Sequence, residues 1–307
     1  MKRLVYIFFP LFILSCQRQA QPTFWLGADI SGTTQLEQTG ITLRDTAGVP
    51  CENTQLMKNY GLNAIRLRVW VNPTNRVWYV TDSGEWIGVP TEPTPGHGAW
   101  CSPEDVLDMA LRAKALDMAI MIDFHYSDWW ADPGKQNIPA AWVDMSFEQM
   151  RDAAAEHTRS TLQLLRDNDV EVSWVQIGNE TTHGFLWPMA RAEENMENYA
   201  RITDACYEAS KSVYSDAPCI IHLDCGSDLK RYTFIFDGLR QYGTRYDMIG
   251  MSMYPFWDIQ EHLTESEDET LSAIVRNIGL LYQEYGRETM ITEIGYNADE
   301  AEAGYNY

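Results

Sequence analysis

The chain has 307 residues, 45% of them hydrophobic, enough apolar material for one large domain or two small ones with a full core. Its 44 acidic residues against 23 basic ones leave a net charge of −21 at neutral pH. A field of that sign repels nucleic acid and anionic polymers, so a neutral substrate fits better than a polyuronate.

Residues 1–15 read as a processing signal. Lys2 and Arg3 form a basic n-region, and residues 4–14 form an apolar stretch too short to cross a bilayer as a helix. The stretch ends Ile13-Leu14-Ser15-Cys16, which resembles a bacterial lipobox. That resemblance implies cleavage before Cys16, lipidation of its thiol, and export to the cell surface or periplasm on a membrane anchor. Residues 16–23 then make a lipidated cysteine and a polar tether, and residues 24–307 a single domain. An ordinary secretory signal with an incidental cysteine is the competing reading, and it gives a secreted protein.

Beyond the tether, β-type runs are expected at 24–31, 63–70, 118–126, 172–180, 219–226, 248–255 and 289–296. Helical stretches are expected between them at 51–60, 103–116, 147–168, 192–214, 229–241 and 270–285. Ser102 before Pro103 is a capped helix start, and Met150, Ala154, Thr161 and Leu165 recur at helical spacing. Strict alternation of strand and helix predicts a parallel sheet under helical cover.

A (β/α)8 TIM barrel is favoured over an open sheet for two reasons. The first strand is not followed by a glycine-rich phosphate loop. Every strand also ends in a polar residue: Asp29, Arg68, His125, Glu180, Asp224, Tyr254 and Glu293. In a barrel those ends surround one site. Only seven strands are predicted, and the tail 297–307 is too short for a helix and another strand. The expectation is therefore a C-terminally truncated chain without its eighth strand. The long loops 71–102 and 127–146 are the candidates for cleft walls.

Five cysteines follow Cys16: Cys51, Cys101, Cys206, Cys219 and Cys225. The count is odd and the spacings fit no metal pattern, so no metal site is expected. One disulfide stays open in an exported protein, with Cys51 to Cys101 the candidate pairing. Cys219 and Cys225 share parity on one strand and do not pair easily with each other.

The chemistry rests on two glutamates. Glu180 closes Glu171-Val-Ser-Trp-Val-Gln-Ile-Gly-Asn-Glu180, and Glu293 sits near the end of Glu288-Thr-Met-Ile-Thr-Glu-Ile-Gly-Tyr296. A carboxylate at the tip of a buried strand is costly to desolvate and adds nothing to the core. Two on one barrel rim suggest an acid and a nucleophile about 5 Å apart across a sugar ring, the arrangement for retaining hydrolysis. By parity, Trp174, Gln176, Gly178 and Glu180 share a face, as do Ile291, Glu293 and Gly295, and Arg66, Arg68 and Trp70. Asp123 goes with His125, and Ser252 with Tyr254. Two interior arginines need carboxylate partners, and Glu293, Asp29 and Asp123 are available. Arg68 is expected beside Glu293, holding it ionised, with Tyr254 donating to it. Glu180 is expected to keep its proton, and Asn179 to bond the sugar 2-OH. Trp129, Trp130 and Trp187 suit sugar faces. His183 has no clear partner and is read as surface.

Several segments resemble the endo-β-1,4-galactanases of glycoside hydrolase family 53, clan A. They are Gly27-Ala-Asp-Ile-Ser31, Gly61-Leu-Asn-Ala-Ile-Arg-Leu-Arg-Val-Trp-Val-Asn-Pro73, Asp123-Phe-His-Tyr-Ser-Asp128, Trp130-Ala-Asp-Pro-Gly-Lys-Gln136, Gln176-Ile-Gly-Asn-Glu180, Gly184-Phe-Leu-Trp-Pro188 and Thr292-Glu-Ile-Gly-Tyr296. The Asn-Glu pair marks only the clan; the third-strand segment and the Leu67-Arg-Val-Trp70 segment are more specific.

The resemblance implies a TIM barrel that cleaves internal β-1,4-galactosyl bonds of pectic type I arabinogalactan with retention. Glu180 matches the acid/base and Glu293 the nucleophile. Arg68, His125, Asn179 and Tyr254 match supporting positions, and Asp29, Asp128, Trp130, Trp187 and Asp224 complete the expected substrate-binding set. No cofactor is required; a calcium site of some bacterial members would lie in the missing C-terminal region. The expected partners are galactan and, through the anchor, a membrane, with a monomer as the expected state. Competing readings are another clan A endo-glycosidase, a mannanase or cellulase, and a non-catalytic glycan-binding surface lipoprotein.

Overall fold

A computed structural model of the chain describes residues 24–80, 86–92 and 98–295. The signal 1–15, Cys16 and its tether, Tyr296 and the tail 297–307 lie outside the described residues. Among the described residues, seven strands form one parallel sheet in chain order. They are β1 (Gly27–Asp29), β2 (Ala64–Val69), β3 (Ala119–Phe124), β4 (Trp174–Ile177), β5 (Cys219–Leu223), β6 (Met248–Met253) and β7 (Glu288–Ile294). The sheet is strongly curled, because Arg66 on β2 and Glu293 on β7 meet at 2.9 Å across its inner face. This is the (β/α)8 architecture, with β1 and β7 as the edges of the described sheet.

The helices are α1 (Thr33–Gln38), α2 (Asn53–Asn59), α3 (Pro103–Ala115), α4 (Phe147–Asp167), α5 (Ala192–Val213), α6 (Leu229–Gln241), α7 (Pro255–Gln260) and α8 (Glu267–Tyr285). Local chemistry sets their ends. Ser102 and Ser146 cap α3 and α4, the latter as a full capping box with Gln149. Gly286 closes α8 in the left-handed conformation, φ 64°. Strand residues facing outward, such as Ile65, Leu67, Ile122 and Phe124, join the main core with the helices. Inward residues Ala64, Met121, Trp174 and Ile220 form a smaller cluster inside the curl. The next inward layer is polar: Arg66, Asp123, Gln176 and His222, all buried.

Observed strands stop short of the predicted ends for a backbone reason. Tyr126, Gly178, Glu180 and Cys225 take positive φ just past β3, β4 and β5, which ends the extended run. The sequence reading also missed α1, α7, a turn of 3-10 helix at Ala140–Trp142, and two small hairpins. One hairpin, Arg76–Val80 with Trp86–Pro90, lies in the long loop after β2. The suggested disulfide is absent: Cys51 and Cys101 are both free, as are Cys206, Cys219 and Cys225. Cys101 lies buried against Ser31, its thiol pushed up to about 12 by burial.

Candidate active site

Glu180 leaves β4 on a strained turn. Gly178 has φ 82°, and a Cβ there would collide with the Thr181 methyl group, so glycine is required. Glu180 itself has φ 45°, a left-handed conformation that costs on the order of 1–3 kcal/mol in a non-glycine residue. Three contacts hold the turn. Gln136 Nε2 donates to the Asn179 carbonyl at 2.8 Å, the Glu180 N–H donates to His222 Nδ1 at 3.3 Å, and Ser252 Oγ donates to Glu180 Oε1 at 2.6 Å. Burial pushes the Glu180 carboxyl well above the usual range. Glu293 and Asp224 push the same way; the Ser252 hydrogen bond and Arg66 offset part of the rise.

Glu293 reaches the same space by a β-bulge. The β6–β7 register runs Met251 to Ile291 and then Ser252 to Glu293, leaving Thr292 unpaired. Met290 therefore packs on the inner cluster while Ile291 packs on the outer core, and the extra residue turns Glu293 inward again. This corrects the simple parity that put Ile291 and Glu293 on one face. Glu293 Oε1 pairs with Arg66 at 2.9 Å, and Oε2 accepts from the Tyr254 hydroxyl at 3.0 Å.

The guanidinium beside Glu293 is thus that of Arg66, not the expected Arg68. Arg66 sits deeper and also meets Asp123 at 2.9 Å, Asp29 at 3.3 Å and Asn179 Oδ1 at 2.7 Å. Arg68, one turn of the pleat nearer the rim, pairs with Asp29 at 3.4 Å and lies 3.8 Å under the Trp130 ring. Burial would raise the Asp29 and Asp123 carboxyls, but Arg68, Arg66 and the Ser31 donors at Asp29, and Arg66 and His125 at Asp123, outweigh it and hold both below the usual range.

The other sequence candidates divide by their partners. His125 uses both ring nitrogens, with Nε2 on Asp123 at 2.9 Å and Nδ1 accepting from the Ala131 N–H. Asn179 donates from Nδ2 to the Ala131 carbonyl. Trp130 is 41% exposed over Arg68. Trp187 is half-buried, donates to the His183 carbonyl and lies against Arg191. Asp128 accepts the backbone N–H groups of Asn72 and Ala140 and so ties two loops together. Asp224 pairs with Arg231 at 2.6 Å and with the Thr182 hydroxyl. His183, read as unpartnered, pairs with Glu193. Asp224, Cys225 and Glu261 present ligand-type atoms close together, but Arg231 bridges Asp224 and Glu261 and is the cation of that cluster.

Residues that sequence reasoning left out of the site are Arg66, Gln136, Gln176, His222 and Ser252. Parity had placed Arg66, Gln176 and Ser252 on the right faces; His222, two residues before Asp224, carried the same signal.

The family model for glycosyl hydrolase family 53 matches residues 25–306. The chain belongs to glycosyl hydrolase family 53. It is 31% identical over 300 residues to a Neosartorya fischeri protein named as a probable arabinogalactan endo-β-1,4-galactanase A, covering 94% of this chain and 74% of that one. Among solved structures, the Ignisphaera aggregans family 53 catalytic domain superposes with TM-score 0.74 at 30% identity, covering 90% of this chain and 70% of that one. A fungal β-1,4-galactanase superposes with TM-score 0.73 at 28% identity, over 89% and 74% of the two chains. The family 53 assignment makes this protein a glycoside hydrolase.

Proposed function

We propose that this family 53 hydrolase cleaves internal β-1,4-galactosidic bonds of type I galactan with retention, using Glu180 as acid/base and Glu293 as nucleophile. The observation that carries the assignment is the different treatment of the two carboxyls. Glu180 is buried with its pKa raised, the state of a proton donor. Glu293 has an arginine on one oxygen and a phenol donor on the other, contacts that hold the carboxyl in place for attack.

In the first step Glu293 attacks the anomeric carbon while Glu180 gives its proton to the leaving glycosidic oxygen. In the second, Glu180 takes a proton from water, which attacks the same carbon and releases Glu293. Neither step calls on a cofactor. Arg66 keeps Glu293 oriented and Asn179 fixed, leaving one Asn179 N–H for the sugar 2-OH. Trp130 offers a sugar ring its outer face, since Arg68 occupies the other. The galactan specificity is supported by the names of the relatives. We further propose that Cys16 carries a lipid anchor that holds the enzyme at a membrane.

The test is a polysaccharide panel. Debranched β-1,4-galactan should be cut to galacto-oligosaccharides while β-1,4-mannan and cellulose stay intact. Preferential cleavage of mannan or cellulose would move the assignment to another clan A activity.

A further inference from the structure

We propose that His222 and Ser252 form a relay that fixes which oxygen of Glu180 carries the catalytic proton. The proposal rests on the reading of Glu180 as the acid.

His222 is fully buried on β5. Its Nδ1 lies 3.3 Å from the Glu180 backbone nitrogen and 3.1 Å from Gln176 Nε2, both donors. The third neighbour, Asn179 Oδ1 at 3.1 Å, already accepts from Arg66. Nδ1 is therefore the acceptor, and the ring hydrogen sits on Nε2. Nε2 lies 2.8 Å from Ser252 Oγ, so the serine accepts there and its own hydrogen is free to point elsewhere. The next partner is Glu180 Oε1 at 2.6 Å. Every bond in the chain runs one way, from His222 to Ser252 to Glu180.

A proton on Oε1 would face the serine hydrogen head-on. The acid proton therefore sits on Oε2, away from β6. Once it is given up, Oε1 becomes anionic and keeps its donor, and a bond to a charged oxygen is roughly twice as strong. The relay favours the departure of the proton as well as its placement. The same imidazole braces the strained backbone of Glu180 through Nδ1, so one buried side chain sets both the turn and the carboxyl.

The histidine must stay neutral for this. Burial and Arg66 hold it well below its usual range, against the pull of Asp123, and the nearby His125 adds to the lowering. The charged groups facing Glu180 are Glu293 on β7, Asp224 beyond β5 and Arg66 on β2; Tyr254 beyond β6 also faces it.

Ser252→Ala removes the donor to the ionised carboxylate. The alkaline limb of the kcat/KM profile, which reports loss of the Glu180 proton, should then move up by about one pH unit. Turnover of galactan, a poor leaving group, should fall about tenfold, while an activated aryl β-galactobioside is barely affected. Ser252→Thr should restore the limb. If threonine unfolds the site, Ser252→Cys, whose thiol is a weak donor toward Glu180, replaces it, and its limb should fall between those of the native chain and Ser252→Ala. A merely structural serine would leave the limb in place and slow both substrates alike, and that result overturns the relay. Glu180→Ala separates the two readings. In kcat/KM, which reports the first step, it should slow galactan far more than the aryl substrate; if it does and Ser252→Ala moves no limb, the relay alone is wrong. Equal loss of kcat/KM on both substrates in Glu180→Ala would remove the acid assignment and the relay with it.

Discussion

Arg66 is the residue whose loss should be felt most widely. It is buried and within 3.3 Å of three carboxylates, those of Asp123, Glu293 and Asp29. Asp123 is 0% exposed, so solvent cannot replace the arginine. Arg66→Met leaves Asp29 with Arg68, but leaves Asp123 with only the Gln176 and His125 donors. Removing one partner of a buried ion pair costs about 3–5 kcal/mol, and that is the deficit expected at pH 7.

The pH dependence fixes the cause. In the native chain Asp29 and Asp123 have depressed pKa values. Their stabilisation is present above the unfolded value of about 3.9 and is lost as pH falls through the folded one. Without Arg66, burial raises Asp123 instead, so the variant gains relative stability as pH falls. The deficit, measured from urea midpoints, should shrink between pH 7 and about 4.5. A deficit under about 1 kcal/mol, or one that stays constant over that range, would refute the reasoning.

Three smaller outcomes follow from single contacts. Burial brings the His157 ring down to about 4 among Phe124, Tyr126 and Trp142. Its contribution is full above pH 6.5 and is lost as pH falls toward 4, on the order of 2–3 kcal/mol; thermal melts of His157→Phe should lose that slope. Trp130→Ala should raise KM for galactan about tenfold with kcat nearly unchanged, measured by steady-state kinetics. A fall in kcat alone would take Trp130 off the sugar platform. Among Cys51, Cys101, Cys206, Cys219 and Cys225, native thiol labelling should reach the half-buried Cys51 first, and the other four only on unfolding.

The barrel was legible because β and α patterns alternate and each strand ends in a polar residue. The convergence of Glu180 and Glu293 followed from their places at strand tips. What failed to show was local and geometric. Parity cannot see the bulge at Thr292, so it could not tell how Glu293 turns inward. Arg66 and Arg68 have the same parity, and only depth decides which one reaches β7. His222 and Ser252 lie inside runs that read as plain strand, and their roles come from neighbours on other strands. Asp128 and Asp224 were chosen by position, but their partners are loop amides, Arg231 and Thr182.

The most direct test of the central claim is proton NMR of debranched β-1,4-galactan digestion, run beside Glu293→Gln. The account predicts that β-anomeric reducing ends appear first and mutarotate later, and that Glu293→Gln produces none while still binding galacto-oligosaccharide. First-formed α anomers, or undiminished turnover in Glu293→Gln, would contradict it.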